Sequence, residues 1–302
     1  MQQPLIFDIK RYAINDGPGI RVTIFFKGCP LSCIWCHNPE SISPKPQKMY
    51  TAGKCIGCGE CVKACPNQAC TLTPEGIVTD PQRCDLNGAC ARVCPTMATE
   101  ISGRYESIPE LLKIIEKERV LFDQSGGGVT FSGGEPLLYP AFLNDLLDRC
   151  GERQVHRTVD TSGYAGTDTL LEVAKRTDLF LYDLKLMDAE KHKTYTGVDN
   201  ALILSNLAQL AATGANIQIR IPLIQGVNAD PENLEKTAAF VANLPGEKKA
   251  VNLLPYHAIA THKHVKLGHR YLADNLEEPS ETNLQQAHDI FSSQGLTTLI
   301  GG

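Results

Sequence analysis

Eleven of the 12 cysteines fall between Cys29 and Cys94, and only Cys150 stands apart. A secreted disulfide scaffold would be shorter and would open on an apolar leader. This chain has 302 residues and begins MQQPLIFDIKRYAINDG, so a cytoplasmic location is expected. In a reducing compartment, clustered thiols point to metal ligation. The net charge of -5 argues against a nucleic-acid partner held by a basic surface. No apolar run reaches ~18 residues, so no membrane span is expected.

The chain divides into three zones. Residues 1–48 contain a strand-like run at 20–26, followed at once by Gly28, Cys29 and Pro30. Residues 49–103 are rich in cysteine, glycine and proline and read as an insert. In residues 104–302, helical patterns near 107–120, 140–150, 167–175, 200–213, 231–244 and 282–294 alternate with strand patterns. Those strands fall near 128–132, 155–160, 178–184, 216–222, 250–254 and 296–300. Six strand–helix units and a tail strand predict an α/β fold with a parallel sheet. Six units are too few for a full eight-fold barrel, so 1–48 and 104–302 are expected to form an open, partial (β/α)6 TIM-like barrel. Its chemistry would sit at the C-terminal ends of the strands.

The first constellation is Cys29-x3-Cys33-x2-Cys36, directly after the first strand. Three thiolates can hold one cluster or metal and leave a coordination position open, the mark of a site that takes substrate. A zinc site completed by His37, or a disulfide, is the plainer alternative. With Trp35 before the last cysteine, the pattern resembles the CxxxCxxC signature of the radical S-adenosylmethionine (SAM) enzymes. Asp16-Gly17-Pro18-Gly19-Ile20-Arg21 upstream and Cys36-His37-Asn38-Pro39-Glu40 downstream narrow the resemblance to the glycyl-radical-enzyme activating enzymes, over nearly the whole chain. The resemblance implies that Cys29, Cys33 and Cys36 bind three irons of a site-differentiated [4Fe-4S] cluster and that SAM chelates the fourth. Reductive cleavage of SAM would give a 5'-deoxyadenosyl radical, difficult chemistry that the cofactor carries and the protein orients.

Later strand ends carry further candidates. Ser132-Gly133-Gly134-Glu135-Pro136 reads as a strand-to-helix turn whose glycines allow close backbone approach. Asp160-Thr161-Ser162-Gly163 could simply cap the next helix. Asp183 and Lys185 share a strand face and could be a structural ion pair. Arg220 ends the fifth strand, and His257 follows the sixth in Leu254-Pro255-Tyr256-His257. By resemblance these are SAM-site motifs. They place Trp35, Cys36, His37, Gly133, Gly134, Glu135, Asp160, Thr161, Asp183, Leu184, Lys185, Arg220 and His257 around SAM, with a monovalent cation near Asp160 and Thr161. His262, His264 and His269 read as solvated loop residues or partner surface.

The second constellation is the insert. Cys55-x2-Cys58-x2-Cys61-x3-Cys65-Pro66 is the bacterial ferredoxin run, whose fourth cysteine serves the other cluster. The second run, Cys84-x5-Cys90-x3-Cys94-Pro95, has Asn87 where a further cysteine is expected. By that logic Cys55, Cys58, Cys61 and Cys94 hold one auxiliary cluster. Cys65, Cys84 and Cys90 hold the other, with Cys70 either completing it or acting as a small core residue. A ferredoxin-like 2[4Fe-4S] insert would conduct electrons to the site cluster; a structural role or a docking role is the alternative. Cys150 reads as a buried small hydrophobe.

Three functions are weighed on these motifs. The first is an activating enzyme whose partner is a glycyl-radical enzyme and whose electron donor is flavodoxin or ferredoxin. The second is a radical SAM enzyme acting on a small molecule or peptide. The third, a ferredoxin-type electron carrier, leaves Cys29, Cys33, Cys36 and the strand-end residues unexplained.

Overall fold

The structure is a computed structural model that describes residues 3–269, 271, 273 and 275–301. It opens on a hairpin of β1 (Leu5–Ala13) and β2 (Arg21–Phe26), paired antiparallel. β1 lies outside the expected units because the pattern there carries no crossover helix. The insert follows: β3 (Gln47–Tyr50), α1 (Glu60–Lys63), β4 (Cys70–Thr73), β5 (Gly76–Thr79), α2 (Ala89–Arg92) and β6 (Thr99–Ser102). β3 pairs with β6 and β4 with β5, both antiparallel. The chain returns to the sheet through β7 (Arg104–Tyr105), which pairs with β1.

The remainder alternates as expected: α3 (Ile108–Glu116), α4 (Arg119–Ser125), β8 (Gly128–Gly133), α5 (Pro140–Glu152), β9 (His156–Thr161), α6 (Thr167–Ala174) and β10 (Leu179–Asp183). Then come α7 (Ala189–Thr196), α8 (Ala201–Ala212), β11 (Ile217–Leu223), α9 (Pro231–Ala242), β12 (Ala250–Pro255), α10 (Thr261–Lys266), α11 (Glu281–Ser293) and β13 (Thr298–Ile300). The main sheet runs β13-β12-β11-β10-β9-β8-β2-β1-β7. From β13 to β2 every pairing is parallel. The fold is α/β and mostly parallel. Among the described residues, no helix is long and apolar enough to cross a membrane.

Two differences from expectation have physical causes. The helix expected at 107–120 is two helices, because the backbone leaves helical geometry at Glu118. Glu118 is buried and ion-paired to Arg11 of β1. α7 escapes the pattern because it is almost entirely polar; it is set instead by its ends. Asp188 accepts the Lys191 N–H at the start, and Gly197 closes the helix in the left-handed conformation.

The two sheet faces differ in chemistry. Val22, Ile24, Phe26, Val129, Phe131, Val159, Phe180 and Ile219 belong to the main core beneath the helices. Alternation puts Arg21, Thr23, Thr130, Ser132, Thr158, Asp160, Asp183 and Arg220 on the opposite face. Parallel sheets usually bury apolar runs on both faces. A polar face therefore needs internal partners. Arg21 is fully buried and donates to Thr130 Oγ1 at 2.7 Å, Thr158 Oγ1 at 2.8 Å, Val129 O at 2.7 Å and Pro18 O at 2.9 Å. Thr130 Oγ1 donates to Asp16 O at 2.6 Å, and Thr23 Oγ1 to Asp16 Oδ2 at 2.7 Å. The Asp16–Arg21 segment thus closes the N-terminal end of the polar face, leaving the C-terminal end for chemistry.

Candidate active site

The Cys29–Cys36 loop leaves the end of β2 and is held from both sides. Gly28 N–H donates to Ser41 O at 2.7 Å and Cys29 N–H to Ile42 O at 3.1 Å. Ser32 N–H donates to Thr196 O at 2.7 Å and Ile34 N–H to Tyr195 O at 3.1 Å, so the unexpected α7 carries the far side of the loop. Trp35 is buried among Leu186, Ile224, Val227 and Tyr256 and anchors the loop by packing. The chain after Cys36 is clamped by α10: Lys263 Nζ donates to Asn38 Oδ1 at 2.7 Å and to Glu40 Oε1 at 2.8 Å. Lys27 is buried beneath it, donating to Glu40 O and to Gln47 Oε1 at 3.0 Å; burial, opposed by Glu40, pulls its ammonium down to about 8.

The three thiols and Lys185 are electrostatic neighbours. Burial pushes Cys29 and Cys33 up and Cys36 up to about 12. Lys185 opposes the rise at Cys33 and Cys36. Burial lowers the Lys185 ammonium, but Asp183 at 2.7 Å, with Cys33 nearby, holds it above the ordinary value. Bound to an iron cluster, such thiols would ionise, because the metal's charge takes the place of the proton. Among the described residues no three His, Cys, Asp or Glu side chains converge closely enough for a single metal ion; a cluster spreads its thiolates more widely.

Next to them lies a second polar group. Asp160 accepts from Ser132 Oγ at 2.6 Å and faces Arg220 Nη1 at 3.5 Å. Burial, aided by Asp183 and opposed by Arg220, raises its carboxyl to about 6. Arg220 Nε and Nη1 are buried without a hydrogen-bond partner. An unsatisfied buried guanidinium fits a polar or anionic ligand group brought from outside.

Glu135 and Thr161 have internal roles. Glu135 is fully buried and accepts from Thr161 Oγ1 at 2.7 Å, Ser162 N at 2.9 Å, Ser162 Oγ at 2.6 Å and Leu137 N at 3.2 Å. Its carboxylate ties the turn after β8 to the turn after β9. The glycines of the first turn are needed for packing: Gly134 N–H donates to Phe26 O at 2.8 Å, and a Cβ on Gly134 would run into Gly28 O. Gly134→Ala should therefore destabilise the protein by about 1–3 kcal/mol and shift the backbone just before Cys29. The check is thermal unfolding together with iron content, which should fall by about four per chain if the site cluster is lost. Leu184 lies in the main core.

Burial, opposed by the backbone of His257, lowers the His37 imidazole. The His257 side chain is exposed and faces Glu278 at 3.2 Å. One reading is corrected. His264 is not a solvated loop residue; it lies in α10, 4.9 Å ring to ring from Tyr271, with Nε2 buried and without a hydrogen-bond partner. Sequence reading missed it because a short polar helix looks like a loop. Lys27 and Lys263 were missed, and Glu40 was quoted in a motif without a role, for a related reason: their partners are remote in sequence.

In the insert, Cys55, Cys58, Cys61 and Cys94 line one hollow with Tyr50 and Ile77. Cys70 is buried beside Cys61 and Cys90, and Cys65 packs against this group, its Sγ accepting the Ala69 N–H at 3.2 Å. Cys84 is an electrostatic neighbour of Cys90. Asn87 Oδ1 accepts the Ala89 N–H at 2.9 Å, at the start of α2.

Comparison with known proteins decides the family. Residues 23–241 match the Radical SAM superfamily. The chain belongs to that superfamily. Within it, the chain is 43% identical over 99% of both chains to the trans-4-hydroxy-L-proline dehydratase activating enzyme of Clostridioides difficile. It is 37% identical over 94% of both chains to the choline trimethylamine-lyase activating enzyme of Oleidesulfovibrio alaskensis. A domain of a pyruvate-formate lyase-activating enzyme from Bacteroides vulgatus superposes with a TM-score of 0.51 at 45% identity, covering 58% of this chain and 99% of that one. Membership of the superfamily implies SAM and a [4Fe-4S] cluster as cofactors.

Proposed function

We infer that this radical SAM protein activates a partner glycyl-radical enzyme. The observation that carries the reading is the end-to-end similarity to activating enzymes, in a chain whose Cys29, Cys33 and Cys36 meet Lys185 at the strand ends. When bound, the cluster and SAM supply a 5'-deoxyadenosyl radical that takes hydrogen from a glycine of the partner.

The chain's own residues bind and orient. Cys29, Cys33 and Cys36 hold the cluster. Lys185 is a compact charge suited to the SAM carboxylate, and Asp183 keeps it charged. Arg220, ion-paired to Asp160 through Nη1 but with Nε and Nη1 making no hydrogen bond, offers these nitrogens to SAM or substrate. Gly133 and Gly134 present backbone to the SAM amino group, while Trp35, His37 and His257 border the same loop. Thr161 and Glu135 are already bonded to one another, so Asp160 is the remaining acid for a monovalent cation.

We also propose the finer architecture. Residues 1–48 and 104–302 form a partial six-unit barrel, and 49–103 a ferredoxin-like insert. Cys55, Cys58, Cys61 and Cys94 hold one auxiliary cluster; Cys65, Cys84 and Cys90, with Cys70, hold the second. Support comes from the shared hollow of the first four and the packing of Cys65 against the group of Cys70. The insert conducts electrons from a flavodoxin or ferredoxin in the cytoplasm.

The test is anaerobic. The protein is reconstituted with iron and sulfide, reduced with dithionite and given SAM. Expected are 5'-deoxyadenosine and about 12 irons per chain, four per cluster. Candidate partners are then added, beginning with a trans-4-hydroxy-L-proline dehydratase, since the relative named for that enzyme is 43% identical. A glycyl EPR doublet identifies the partner. No 5'-deoxyadenosine from protein holding a reduced site cluster, with partners present, would overturn the reading.

A further inference from the structure

Lys48 stands out among the insert's side chains. It lies on β3, half-buried, and its Nζ donates to Cys70 Sγ at 3.3 Å and to Thr79 Oγ1 at 2.6 Å. Its ammonium is also an electrostatic neighbour of Cys61 and of Cys90, one from each cysteine group. Among the described residues it forms no ion pair with a carboxylate. A half-buried cation without a counter-charge is unfavourable. Neutral thiols offer no such charge, whereas thiolates bound to an iron–sulfur cluster do. The Lys48 position would be favoured further by anionic groups on both sides.

We propose that Lys48 is the fixed counter-charge of the insert's iron–sulfur clusters, placed between the two cysteine groups so that it stabilises their reduced forms. The proposal rests on the cluster reading above. Reduction adds one electron to a cluster, and a nearby ammonium stabilises that added charge. Charge and hydrogen bonds at the cluster sulfurs are levers on reduction potential. The N–H···S contact to Cys70 supplies both if Cys70 is a ligand, and the charge alone if it is not. An electron arriving from a soluble donor would then be retained long enough to pass to the site cluster.

The test uses the full chain carrying Cys29→Ala, Cys33→Ala and Cys36→Ala, so that only insert clusters report. Lys48→Met and Lys48→Arg are added to it, and each protein is titrated under anaerobic conditions with EPR detection and an iron count. The parent should hold about eight irons per chain. Lys48→Met should bind the same iron but show roughly a tenfold higher oxidised-to-reduced ratio at a fixed potential, a midpoint lowered by about 59 mV for one electron. Lys48→Arg should restore most of that shift. Loss of iron in Lys48→Met with retention in Lys48→Arg also supports the counter-charge, acting at assembly. Equal iron and unchanged midpoints in Lys48→Met overturn the proposal while leaving the clusters standing. A parent without insert iron removes the clusters, and the proposal with them.

Discussion

Cys33→Ala should abolish SAM cleavage while leaving the insert's iron in place. Cys33 sits mid-loop, and burial pushes its thiol up with Lys185 alongside. Losing even a residue that only supports a metal ligand lowers affinity by about 10–100-fold; losing Cys33, one of the three ligands proposed for the cluster, should cost more. The loop itself should survive, because its backbone is tied to Thr196 and Tyr195 and its Trp35 stays packed. The checks are 5'-deoxyadenosine formation and iron content, expected to fall from about 12 to about eight per chain. Retained cleavage would take the Cys29–Cys36 loop out of the chemistry.

Glu135→Ala should produce the largest loss of stability. It removes the acceptor for four buried donors on two turns. Each buried donor left unsatisfied costs about 1–3 kcal/mol, although the turns can relax around the gap. A net loss of about 3–5 kcal/mol follows, lowering the melting temperature by on the order of 10 °C. Glu135→Gln should lose less, since its amide oxygen still accepts. SAM cleavage should fall in both, because the turns after β8 and β9 lose their common brace. Unfolding of Glu135→Ala at the unsubstituted protein's temperature would show that the carboxylate braces nothing.

Much of this was readable from residue order, and the physics explains which part. The parallel strands were readable because burial under helices demands runs such as Val22–Phe26 with periodic helices between them. Apart from the divided helix, the expected helices and strands end within two residues of those observed. Asp183 and Lys185 were readable as neighbours because strand alternation is local. α7 and α10 were not, since neither shows a helix-period apolar stripe and both are placed by hydrogen bonds to the Cys29–Glu40 segment. Arg21 could be singled out within a motif, but not as a fully buried guanidinium, because its partners Thr130 and Thr158 are remote in sequence. Glu135 lay inside the expected site motif, yet its carboxylate faces inward. Motifs place the backbone near a ligand; they do not say which way each side chain turns.

The pairing of β3 with β6 has a consequence for how such chains diversify. Gln47 lies opposite Ser102, so the polypeptide enters and leaves the cysteine-rich segment at one place. β2 and β8 are sheet neighbours whatever happens between those two points. An in-frame deletion from 48 to 101 would leave ends already side by side, ready to be closed by a turn. A lineage could therefore shed or acquire this cysteine-rich segment in one genetic event while keeping the β2–β8 pairing of the main sheet.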